Sequence, residues 1–372
     1  MQNKYKKIAE EILEYADIKI NGGNSWDIQV YNEDFYHRAI TEGELGIGES
    51  YMEGWWDVNN VDEFIFRILR AHLDEKIKRN FRIMAKVFSA KIFNFQSKNK
   101  SFYNGQRHYD LGNDLFQNML DQRMNYSCAY WKETSDLDRA QENKLDLICR
   151  KLYLKPGMRV LDIGCGWGAF GKYAAEKYNV EVVGITVSKE QVKLGENLCK
   201  GLPVKFHLMD YRDLNEKFDR LVSVGMIEHV GCKNYRTFFE IAHKSLKDDG
   251  LFLLHTIGSN ISQNSINLWT AKYIFPNALI PSIAQLGKAI EKLFVVEDWH
   301  NFGTDYDKTL ISWYNNFINN WEKIKNNYPN HFFRMWKYYL LSSAASFRSR
   351  SNQLWQIVLS KNGILNGYHS VR

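Results

Sequence analysis

The chain has 372 residues, 45% apolar and 25% charged, with 49 basic against 43 acidic side chains and a net charge of +6. That balance excludes a globally disordered chain, and the length leaves room for two domains. No apolar run approaches the roughly 18 residues of a membrane span, and the first residues turn acidic at Glu10 and Glu11 without a signal-peptide core, so a cytoplasmic protein is expected.

Residues 1–95 read as a small, mainly helical N-terminal domain. Tyr5, Ile8, Ile12 and Tyr15 fall at helical spacing, as do Phe64 and Ile68. Between them, the stretch from Gly43 to Trp56 carries glycines that argue for turns and aromatics that argue for packing. From Lys76 to Lys100 the chain holds Lys and Arg but no Asp or Glu, and Ile77, Phe81, Met84 and Phe88 share one helical face. A basic amphipathic helix of this kind fits an anionic membrane surface; a core-packed helix with a solvated basic face is the competing reading. Residues 96–125 read as a polar linker. The five cysteines, Cys128, Cys149, Cys165, Cys199 and Cys232, are scattered and form no C-x-x-C pair, so neither a disulfide framework nor a metal site is expected.

From about Leu145 strands and helices alternate. Strands are predicted at Arg159–Ile163, Val180–Ile185, Val204–Leu208, Asp219–Val224 and Gly250–His255, with two more at Leu293–Glu297 and Leu354–Leu359. Helical patterns at Trp167–Tyr178 and Asn234–Leu246 lie between. The pattern predicts an α/β domain over 126–372 with a Rossmann-like, seven-stranded, mostly parallel sheet. Ligands of such sheets bind outside the carboxyl ends of the strands. The first strand runs into Asp162-Ile-Gly-Cys-Gly-Trp-Gly168, where glycines let a ligand approach the backbone and a carboxylate waits at the strand end. Thr186 stands where a nicotinamide site would carry its ribose-binding acid, which disfavours that cofactor.

Asp162 with Gly164, Gly166 and Gly168 resembles motif I of the class I S-adenosylmethionine-dependent methyltransferases. Further strings join it: His108-Tyr-Asp-Leu-Gly, Tyr126-Ser-Cys-Ala-Tyr-Trp, Gly225-Met-Ile-Glu-His, Phe252-Leu-Leu-His-Thr-Ile-Gly and Asp298-Trp-His-Asn-Phe-Gly. Together they resemble the cyclopropane-fatty-acyl-phospholipid synthases, from about Leu45 to the C-terminus. The resemblance implies transfer of a methylene carbon from S-adenosylmethionine to the cis double bond of an unsaturated phospholipid acyl chain. It implies cofactor contacts by Tyr126, Ser127, Asp162, Gly164, Cys165, Gly166, Gly168, Thr186, Ser188, Gln191, Asp210, Tyr211 and Arg212. It further implies a bound bicarbonate as proton acceptor, held by Glu228, His255 and Tyr306 and by the backbone amides of Cys128 and Ile257. A homodimer attached peripherally to the inner face of the cell membrane, with no nucleic-acid partner, completes what it implies. Some members carry a cysteine once considered catalytic where this chain has Ser343; a serine there without a base is no activated nucleophile. The residues alone also allow another methyltransferase acting on a soluble molecule or RNA, or a lipid-binding protein with a relict cofactor fold.

Overall fold

The computed structural model describes residues 2–73, 76 and 112–372. All but Lys76 of the basic Lys76–Lys100 stretch, most of the 96–125 linker and the string at His108 lie outside the described residues. Among the described residues no helix is long and apolar enough to cross a membrane. The chain divides into two compact units.

The first unit takes in Met1–Leu115, Ile266–Pro276 and Leu310–Ser351. Its N-terminal part contains helices Gln2–Glu14, Asp34–Glu42, Glu44–Met52 and Val61–Arg70, with a short antiparallel pair, β1 (Gln29–Val30) and β2 (Trp56–Asp57). The glycine-rich stretch after Gly43, expected to turn, is helical instead. A side chain at Gly48 would stand 2.3 Å from the Trp269 ring, so this glycine admits the indole rather than breaking the helix. Segments 266–276 and 310–351 fall by sequence in the expected 126–372 domain, yet they cluster with the N-terminal helices. The reason is visible in helix Phe332–Arg348: Arg334 donates to the Tyr51 and Trp56 carbonyls and pairs with Asp57 at 2.8 Å, and Arg348 pairs with Asp62 at 2.8 Å. Tyr338 packs between Tyr51 and Trp269, with ring centroids 5.2 and 4.8 Å away. Ser343 lies on this helix.

The second unit comprises Phe116–Ser265, Asn277–Thr309 and Asn352–Arg372. It holds the predicted sheet: β3 (Arg159–Ile163), β4 (Glu181–Thr186), β5 (Val204–Leu208), β6 (Phe218–Val224), β7 (Leu246–Ser259), β8 (Val295–Asn301) and β9 (Asn352–Ser360). Their order is β5-β4-β3-β6-β7-β9-β8. The first five run parallel, and β9 inserts antiparallel to both β7 and β8. Helices cover both faces, which is why the central strands read as nearly continuous apolar runs. Leu161, Leu221 and Phe252 point into one core and Val160, Val222 and Leu253 into the other. Chain order reverses between β3 and β6, so their carboxyl ends frame the crevice where a ligand of such a sheet sits. This is the class I methyltransferase architecture.

Candidate active site

The loop after β3 is tied down by its neighbour: Gly164 and Cys165 N–H groups both donate to the Ile185 carbonyl at the end of β4. Gly166 then takes φ +55°, and a Cβ there would meet nothing within 4 Å. The direction a side chain would fill is left open, as a closely approaching ligand requires. Helix Ala169–Tyr178 follows. Asp162 is buried at the loop's entrance, and burial pushes its carboxyl up to about 7 although the Lys144 ammonium pulls the other way. Trp167 Nε1 is buried in the same loop with no partner among the described residues. A buried carboxyl, an indole donor and an open glycine backbone fit a ligand that carries both an ammonium and a carboxylate, as S-adenosylmethionine does.

The other expected cofactor residues fall into three groups. Thr186, Ser188 and Gln191 are linked by hydrogen bonds: the Thr186 hydroxyl donates to Gln191 Oε1 at 2.6 Å, and Ser188 caps helix Lys189–Leu198 by accepting from the Gln191 amide. Asp210 accepts from the Arg212 amide and guanidinium, so Arg212 turns back on its own turn, while the Tyr211 ring packs edge-on to Phe238. Tyr126 and Trp167 both pack against Phe116, with centroids 5.1 Å away in each case. Ser127 is held from below, its hydroxyl accepting from Lys144 at 3.0 Å and its carbonyl from Gln141 at 2.9 Å.

Lys144 is the residue that sequence reasoning missed. Fully buried, it also donates to Asn125 Oδ1 at 2.8 Å, and burial lowers its pKa to about 8. The signal was present as a lysine on the inward face of helix Leu137–Lys151, in phase with Gln141, Ile148 and Lys151. Lys151 is the second such residue. It lies 3.1 Å from His300 Nδ1 and 3.4 Å from Asp298, and burial lowers it to about 7.

The residues expected around an anion come together in the second unit. Glu228 sits in the single turn Ile227–His229 just past β6, and the fold holds it there because its carbonyl accepts from the Leu279 amide at 2.7 Å. Its Oε1 accepts from the Ile257 amide at 2.7 Å, while Oε2 is buried without a partner among the described residues. The Ile257 amide, expected to face the anion, is thus engaged by the carboxyl, whose pKa burial raises. His255 pairs with Val224, the last residue of β6, and shares a strand face with Ile257. Its Nε2 is likewise buried without a partner among the described residues, and burial pushes its pKa well below the usual histidine value. Phe302 touches the His255 ring, with centroids 6.0 Å apart, and packs with Cys128, Tyr130, Ile257 and Tyr306 in one cluster. Cys128 is a neutral thiol there, raised by burial, with Sγ against the Ala129 carbonyl. Buried orphan atoms on a carboxyl and a neutral imidazole are the donor set a small protonatable anion would satisfy.

Comparison with known proteins gives consistent relatives. The family described as mycolic acid cyclopropane synthetase matches residues 96–357. The cyclopropane-fatty-acyl-phospholipid synthase of Escherichia coli (strain K12) is 51% identical over 370 residues, covering 100% of this chain and 97% of that protein. A cyclopropane synthase structure from Mycobacterium tuberculosis is 33% identical with a TM-score of 0.65, covering 69% of this chain and 96% of the other. A mycolic acid cyclopropane synthase complexed with SAH and CTAB gives the same identity, TM-score and coverage.

Proposed function

The chain belongs to the mycolic acid cyclopropane synthetase family, and on that premise we propose that it builds cyclopropane rings at the cis double bonds of unsaturated phospholipid acyl chains, with bicarbonate as the proton acceptor. It is a methyltransferase-fold enzyme of lipid cyclopropanation that uses S-adenosylmethionine. The observation that carries the finer reading is a pair of buried atoms without partners among the described residues, Glu228 Oε2 in the turn just past β6 and His255 Nε2 on the neighbouring β7.

Bound S-adenosylmethionine supplies an electrophilic methyl carbon. Asp162, Trp167 and the backbone around Gly166 hold and orient it, which matters because an alkene is a weak nucleophile and needs an in-line approach. Attack by the alkene would form a carbon–carbon bond as the methyl–sulfur bond breaks, its electron pair leaving on sulfur with S-adenosylhomocysteine, and would leave a cationic carbon on the acyl chain. The faces of Tyr130, Phe302 and Tyr306 offer cation–π stabilisation without being alkylated. A proton must then leave the added methyl so that its electron pair can close the ring. His255 and Tyr306 would hold a bound bicarbonate by donating to it, and Glu228, whose pKa burial raises, would share a proton with it instead of repelling it; such an ion would supply the base.

The same reading includes peripheral attachment to an anionic membrane at the cytoplasmic face through the 76–100 stretch, and a homodimer. Incubation with unsaturated phospholipid vesicles and methyl-labelled S-adenosylmethionine tests it. Acyl chains that gain one CH2 and lose a double bond support it; label appearing in RNA or a soluble pool, or no transfer, overturns it.

A further inference from the structure

Gln356 is fully buried on β9, opposite His255 on β7 and opposite His300 on β8. Directly opposed residues share a sheet face, so the three side chains form a row across the strands. On one flank His300 is engaged by Lys151. On the other, Gln356 Nε2 lies 3.3 Å from His255 Nδ1. An amide nitrogen only donates, so Nδ1 accepts and the proton of the neutral imidazole sits on Nε2. Among the described residues, that Nε2 and Gln356 Oε1 are both buried without a partner. The reversed amide would place Oε1 against an Nδ1–H and leave Nε2 as a bare lone pair, which repels an anion.

We propose that Gln356 is a positioning residue that holds His255 as its Nε2–H tautomer, so that the imidazole donates to the small anion it shares with Glu228. This rests on the anion reading above and adds the residue that orients its imidazole donor. Nitrogen-15 NMR of the histidine ring, assigned by loss of the signal in His255→Asn, reads the tautomer directly. The wild type is expected to show Nε2–H, and Gln356→Leu to show Nδ1–H or a mixture. The bicarbonate concentration for half-maximal turnover should rise roughly tenfold or more in Gln356→Leu, the scale of one hydrogen bond to a charged group, with KM for S-adenosylmethionine unchanged. Gln356→Met serves if the leucine variant does not fold. An Nδ1–H wild type, or Nε2–H retained in the variants, overturns the assignment whatever the kinetics. If wild-type turnover ignores bicarbonate, the anion reading fails by itself, and the spectra still decide the role of Gln356.

Discussion

Replacing Lys144 by Met isolates the electrostatics of the cofactor site. Burial holds the Asp162 carboxyl at about 7, and the Lys144 ammonium is the opposing influence that lowers it. The ionised carboxylate accepts from the ligand's ammonium much more strongly than the neutral acid does, so binding favours deprotonation. Affinity for S-adenosylhomocysteine should therefore weaken as pH falls through about 7, approaching tenfold per pH unit. Lys144→Met removes the charge that lowers Asp162 and moves this transition upward. At pH 7 the wild-type group is about half ionised; a first unit of upward shift leaves roughly a tenth ionised and costs about fivefold in affinity, and a further unit costs about tenfold more. Above about pH 9 both proteins are ionised at Asp162 and their affinities should converge, which separates this effect from a collapsed site. The variant also strips a donor from Asn125 Oδ1 and Ser127 Oγ, at about 1–3 kcal/mol for each group left unsatisfied. Thermal unfolding reads that cost independently of the titration. Calorimetric titration across pH 6 to 9 is the assay. A flat wild-type profile, or a Lys144→Met profile that overlays it, would refute the reasoning.

Glu228→Gln keeps an oxygen to accept from the Ile257 amide, so the fold should survive. Turnover on phospholipid vesicles should fall roughly hundredfold or more while calorimetric cofactor affinity stays put; more than a tenth of wild-type turnover counts against the proton-acceptor role. Gly166→Val places branched carbons in the open direction at φ +55°. It should abolish S-adenosylhomocysteine binding at a cost of about 1–3 kcal/mol in stability, and near-native affinity would remove the loop from the cofactor site. Changing Lys78, Arg79, Arg82 and Lys86 to Gln should weaken sedimentation with anionic vesicles by about 1 kcal/mol for each residue that reaches the surface. The wild-type binding should fade at high salt. Unchanged sedimentation would return this stretch to an ordinary packed helix.

The central strands were legible because each carries a short apolar run bounded by turn residues, and a parallel sheet covered on both faces demands such runs; the edge strand β8, Val295–Asn301, was caught only at its start, because Glu297, Asp298, His300 and Asn301 break the apolar pattern. The glycine loop was legible for the same reason: its position after the first strand gives it meaning. The stretch after Gly43 was misread because a glycine that admits the Trp269 ring and one that bends the chain look the same in sequence. The membership of residues 310–351 in the first unit was also hidden. It depends on Arg334 and Arg348 meeting groups more than 270 positions away. Glu228 and His255 could be marked as strand-end groups. Which of their atoms lack partners, and that Gln356 supplies the neighbour of Nδ1, emerges only once β7, β9 and β8 are set side by side.

The two buried lysines connect these observations. Both lie on the inward face of one helix, Leu137–Lys151, and burial lowers both, to about 8 and about 7. The positive charge of Lys144 pulls the Asp162 carboxyl down, towards the ionised form that cofactor binding requires. Lys144 and Lys151 together push His255 further below its ordinary range, towards the neutral form that Gln356 can orient. Both groups are needed without their titrating proton, but burial acts on them in opposite directions: by itself it protonates Asp162 and deprotonates His255. The lysines therefore act against burial at the cofactor and with it at the anion site. A hydrophobic residue at either position would take a donor from buried acceptors, Asn125 and Ser127 for Lys144 and Asp298 for Lys151, and would weaken that electrostatic division between a charged carboxylate and a neutral imidazole.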